Sequence, residues 1–141
     1  MSELNICSNE KLLFKYNDKW QLEDMPLDNN PDCIATLSYE DGSLLNVIAF
    51  PSEMPSLEQY KEIMEDILID DGAEIVSSEI ANVGKRSSIQ THSKIKIPEI
   101  SFEMFSVVFL EDNFIYIFEL RTISDIVGEF MDIIKTFEII E

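Results

Sequence analysis

Lys85, Arg86, Lys94 and Lys96 are four of only ten basic residues in the chain, gathered within twelve positions. Against 28 acidic residues and a formal charge of −18, such a basic strip suits docking onto a carboxylate-rich partner. The structural alternative pairs these cations across strands with residues such as Glu79 and Glu103, at roughly 0.2–1 kcal/mol per pair. Other candidates for chemistry are sparse. His92 is the single histidine, whereas catalytic dyads and zinc sites need a His near Cys, Ser or further His. Cys7 and Cys33 have neither CxxC spacing nor a basic flank to stabilise a thiolate. Gly84-Lys85-Arg86-Ser87 approaches a phosphate loop, but the upstream Gly of that motif falls on Glu79. The segment also leads into a strand, so no helix N-terminus is there to hold phosphate. Nucleotide binding through such a loop is excluded.

Two acidic groups complete the inventory. Asp24, Asp28, Asn29, Asn30 and Asp32 are oxygen donors of the kind calcium takes, yet their spacing matches no EF-hand loop. They read as a solvated loop. Glu65, Asp66, Asp70 and Asp71 lie on the outer side of a helix, with Asp70 and Asp71 near its C-terminus, where the helix dipole disfavours negative charge. General acidity of the chain is the simplest account, with a cation or a basic partner as the alternative. No residue pattern demands a cofactor.

These side chains must be positioned by one domain, since 141 residues is the length of an ordinary one. An apolar content of 45% with 27% charged residues excludes a disordered acidic tail. The strong negative charge argues against nucleic acid or an anionic membrane as partner, because both are repelled. No apolar run approaches the ~20 residues that cross a bilayer, so membrane insertion is not expected. The start of the chain has no basic n-region or apolar h-region. With two cysteines read as free thiols, a cytoplasmic protein is expected.

Residues 1–10 read as a flexible terminus ahead of a single domain over 11–141. Lys11 to Tyr16 is a short first strand, and Glu23 to Asp32, with its prolines and acids, is a surface loop. Cys33–Tyr39 and Leu44–Phe50 flank Asp41-Gly42, a strong hairpin signal because Gly takes positive φ without strain. Ser56 with Gln59 three residues on has capping-box spacing. Leu57, Tyr60, Met64, Ile67 and Leu68 then trace a helical face, and Gly72 stands as its C′ residue. Ala73–Ala81 and Arg86–Ile97 follow as strands. Ile89, Thr91, Ser93, Ile95 and Ile97 share one face of the second, while Gln90, His92, Lys94 and Lys96 face water. Glu103–Leu110 and Phe114–Arg121 form a hairpin apolar on nearly every residue, hence central in the sheet. A final helix spans Asp125 to Phe137, started by Thr122 or Ser124. The order describes an α+β domain: an antiparallel sheet flanked by two main helices.

The short strand with its Tyr16-Asn-Asp-Lys-Trp20 turn, the hairpin after it, and the Pro-rich entry into Ser56-Leu-Glu-Gln-Tyr60 follow a recognisable order. So do the strand–Gly–strand segment at Val83-Gly84, the central hairpin, and a terminal helix ending Lys135-Thr136-Phe137. From Leu12 to Phe137 the chain resembles the PsbP-like, DcrB-like and Mog-type superfamily. It departs from that pattern at Asp18-Lys19, where Pro-Gly is expected before the Trp. The resemblance implies an αβα sandwich and a role in binding other proteins, and it implies no reaction. The expected function is therefore a non-catalytic, protein-binding domain, monomeric or homodimeric, with Lys85, Arg86, Lys94 and Lys96 as its interaction surface. The alternative is a small-ligand or divalent-metal domain, an enzyme among its forms, using a cleft between sheet and helix or the acidic loop 23–32.

Overall fold

A computed structural model describes residues 4–26 and 31–140. The chain opens with β1 (Asn5–Ser8), β2 (Leu12–Tyr16) and β3 (Trp20–Leu22). The hairpin β4 (Cys33–Tyr39) and β5 (Leu44–Pro51) leads into α1 (Leu57–Asp70). The long strands β6 (Glu74–Val83), β7 (Arg86–Ile97), β8 (Ile100–Glu111) and β9 (Phe114–Thr122) follow. α2 (Val127–Ile134) and the two-residue β10 (Glu138–Ile139) close the chain.

Seven strands form one antiparallel sheet in the order β3-β4-β5-β9-β8-β7-β6. The uniformly apolar hairpin β8–β9 lies inside it, as its lack of alternation requires. Val107, Val108, Phe109, Ile115, Phe118 and Leu120 are all at most 2% exposed. Asp112 and Asn113 make its turn, both at positive φ (53° and 62°), the left-handed pair that matches strand twist.

One sheet face carries α1. Leu57, Tyr60 and Met64 pack on Ile89, Val108 and Ile115. The helix starts where the sequence indicates, with the Ser56 hydroxyl accepting the Gln59 N–H at 3.3 Å. It ends in paired bonds from Gly72 N–H to Ile69 C=O and Ala73 N–H to Leu68 C=O. Gly72 sits at φ 87°, a conformation that favours glycine. Yet no α1 residue is fully buried, and Ile67, expected on the packed stripe, is 54% exposed.

The other face carries the larger core. Phe130, Ile133 and Ile134 of α2 join Leu12, Phe14 and Phe137 over Val47, Val107, Phe109, Tyr116 and Phe118. Trp20 belongs to this core as a plug, 3% exposed and packed against Tyr39. The result is an αβα sandwich whose second layer also holds a small sheet, β1-β2-β10.

The structure corrects three expectations. Asn5–Ser8, read as part of a flexible terminus, pairs along its length with β2, so the folded unit begins before residue 11. The last helix is shorter than its 125–137 pattern, because Glu138 and Ile139 turn away to pair with Leu13 and Leu12. Thr122 does not start that helix either. It ends β9, buried, with its hydroxyl 2.7 Å from that of Ser43, and Ile126 stands at the helix N-terminus without a side-chain cap.

Candidate functional site

The four cations of the basic strip do not form one site. Lys85 and Arg86 sit at the β6–β7 turn, whereas Lys94 and Lys96 lie near the far end of β7. Ten residues at about 3.3 Å each separate Arg86 from Lys96 by roughly 33 Å. One continuous strip is therefore replaced by two basic regions at opposite ends of the sheet.

At the first end, Lys85 and Arg86 are joined by Lys15 of β2 and Lys135, the residue that follows α2. The four line a cleft of about 690 Å³, floored by Phe109, Ile134 and Phe137 and carrying, among the described residues, one acid, Glu138. Arg86 is held in place by its Nε bond to Glu111 (3.0 Å) and by the Phe137 ring 5.5 Å from its guanidinium carbon. The Thr136 hydroxyl accepts the Lys15 backbone N–H at 2.7 Å and donates to Ile133 C=O at 2.7 Å. This joins the Lys15 strand to the Lys135 helix end. Lys15 and Lys135 carry no sequence signal for this role, since they stand 120 positions apart in the sequence.

At the second end, Lys94 and Lys96 border a hollow of about 310 Å³ with Phe102, Glu103 and Ile123. Phe102 and Ile123 continue into a neighbouring hollow with Leu44 and Arg121. Ile123 is 71% exposed, an unusual position for a large aliphatic side chain beside charged residues. Lys94 stands opposite Glu103 in the sheet register, but the Glu103 carboxylate bonds His92 instead, at 2.8 Å. Among the described residues Lys94 and Lys96 make no ion pair. Cross-strand pairing with Glu79 fails as well, because Glu79 lies opposite Gln90.

His92 departs from its expected place in water. It is half-buried, stacked on Phe105 with 4.2 Å between ring centroids. With Ser77, Glu79, Gln90, Val127, Phe130 and Met131 it lines a cleft between the sheet and α2. Alternation places His92 on the correct face, but α2 reaches far enough across to cover it in part. The cleft measures about 180 Å³, below the ~300–1,000 Å³ usual for small-molecule sites.

Cys7 is half-buried and Cys33 buried, neither in a disulfide, and burial raises the Cys7 pKa, which leaves it less nucleophilic. Of the acidic loop, Asp28, Asn29 and Asn30 lie outside the described residues. Among those described, no group of three or more His, Cys, Asp or Glu is placed to hold a metal. In the helical acidic cluster Glu65 is engaged by Lys61 at 2.6 Å.

An antiparallel seven-stranded sheet between α1 on one side and α2 with a three-stranded sheet on the other is a PsbP-like α+β fold. Solved structures bear this out. The chain is similar over 99% of its length to cyanobacterial PsbP (CyanoP) from Synechocystis sp. PCC 6803, covering 94% of that chain with a TM-score of 0.72 at 13% identity. It is similar to LpqN of Mycobacterium tuberculosis, a protein involved in cell envelope biogenesis, over 99% of this chain and 91% of that one (TM-score 0.65, 12% identity). A protein of Bacteroides thetaiotaomicron VPI-5482 matches 92% of this chain with 45% of its own (TM-score 0.64, 11% identity). No protein-family model and no curated relative matches the sequence.

Proposed function

We propose that the chain is a non-catalytic domain that docks another protein through the end of the sheet bearing Lys94, Lys96, Phe102 and Ile123. The observation that carries this reading is Ile123, 71% exposed, sharing one hollow with two lysines that have no ion-pair partner among the described residues. An apolar centre with a polar, charged rim is the arrangement of a protein-binding patch. The rim's sign selects a partner that presents acidic residues around an apolar one. Lys85 and Arg86 lie too far away to share that contact. The non-catalytic reading is supported by His92, whose only polar side-chain neighbour within hydrogen-bond reach among the described residues is Glu103. The proposal sets this contact in the cytoplasm, which suits a chain whose two cysteines form no disulfide.

Crosslinking in lysate of the source organism tests the reading. The wild-type chain is expected to recover a recurrent partner that Lys94→Glu/Lys96→Glu and Ile123→Asp lose and Lys85→Glu retains. An unchanged partner list in the Lys94→Glu/Lys96→Glu variant overturns the assignment of this surface.

A further inference from the structure

The geometry points to a second site, independent of the docking surface: the cleft lined by Lys15, Lys85, Arg86 and Lys135 binds a small polyvalent anion of the phosphate class. Its volume of about 690 Å³ falls within the ~300–1,000 Å³ of small-molecule sites. Its cations come from three separate parts of the chain: a strand of the small sheet, a hairpin turn of the large sheet, and the end of α2. Folding therefore gathers positive charge that the sequence disperses. Lys15, Lys85 and Lys135 make no ion pair among the described residues, so their charge is available. Arg86 is fixed by Glu111 and Phe137, and with its charge offset by Glu111 it contributes orientation.

The net charge of −18 does not decide the sign at this cleft. Screening confines exposed charges to about 8 Å at physiological salt, and among the described residues Glu138 is the one acid in the lining. The C-terminal end of α2 also faces the cleft and opposes an anion with about half a charge. Three unpaired lysines outweigh both. A compact anion matches this arrangement better than an acidic peptide. Alternate side chains of an extended segment fall about 7 Å apart, so its further carboxylates would lie on the acidic body beyond the cleft. The mode differs from a phosphate loop: lysine side chains supply the charge, and no helix N-terminus takes part.

Titrating inorganic tripolyphosphate into the full chain tests this, against sodium chloride at matched ionic strength. Thermal unfolding followed by Trp20 fluorescence should shift upward with tripolyphosphate and not with chloride, because a ligand of the folded state stabilises it. Lys15→Gln/Lys85→Gln/Lys135→Gln should weaken binding by about tenfold or more, while Lys94→Gln/Lys96→Gln leaves it unchanged. In the wild-type chain, amide resonances of Gly84, Lys85, Lys135 and Thr136 should move together during the titration, a readout independent of how the triple variant folds. An equal shift from chloride, resonance changes dispersed over the surface, or tighter binding of an oligoglutamate peptide of the same charge overturns the proposal.

Discussion

The hydroxyl of Thr136 accepts the backbone N–H of Lys15 at 2.7 Å, a bond spanning 121 positions of sequence. It ties the small sheet to the end of α2 and fixes where Lys15 and Lys135 stand relative to each other. Thr136→Val removes that acceptor while keeping the shape of the side chain. The expected loss is about 1 kcal/mol, the usual worth of an intramolecular hydrogen bond. It should be read as a lower urea midpoint at constant m-value, with weaker tripolyphosphate binding in the same variant.

The two helices differ in how firmly they are held. α2 buries Phe130, Ile133 and Ile134, while α1 buries no residue fully and leaves Ile63 and Ile67 exposed. Local opening follows the amount of buried contact, so α1 amides should exchange with solvent faster than α2 amides. Ser56→Ala removes the α1 cap and should cost about 1 kcal/mol, widening that gap. Equal protection of the two helices would contradict the packing described here.

Phe14 meets Phe118 edge-on, with centroids 5.7 Å apart and both side chains 0% exposed. Their contact joins the small sheet to the large one. Phe118→Ala should destabilise the chain by about 3–5 kcal/mol through lost burial and a residual cavity. Phe14→Ala should do likewise and loosen β1, β2 and β10 together, visible as loss of amide protection across that sheet. Trp20, buried and unique, gives the fluorescence signal for the unfolding curves.

Glu65 supplies a pH dependence. The hydrogen bond from Lys61 lowers its pKa below the ordinary 4.5, against a smaller upward effect of burial. A carboxyl depressed in the folded state contributes stability that is present above its unfolded pKa and disappears as pH falls through the folded one. Glu65→Gln should therefore be less stable than wild type at neutral pH, and the difference should shrink progressively below about pH 4.5. Urea midpoints of both proteins across pH 3 to 7 check this; a difference that stays constant to pH 3 would contradict it.

Much of the scaffold was legible in local patterns. The Ser56 cap, the Gly72 terminus, the Asp41-Gly42 turn and the bounds of β7 depend on neighbours a few residues away, and they stand where spacing placed them. The inner position of β8–β9 was legible too, because apolar residues on both faces of a strand leave it no exposed side. The same alternation assigned His92 its sheet face, but not its cover, since the reach of α2 over that face depends on packing between distant elements.

By itself the sequence determined most element types and the turns, because propensity, capping and hydrophobic period act over short stretches of chain, while the layering followed from the resemblance of their order to the PsbP-like pattern. Only the tertiary structure decided that Glu138–Ile139 pairs with β2, since two residues carry no period of their own. The distance of Lys85 and Arg86 from Lys94 and Lys96 was already implicit in Arg86–Ile97 being one extended strand. But only the tertiary structure brought Lys15 and Lys135 beside Lys85, a grouping set by which surfaces pack together rather than by any spacing along the chain.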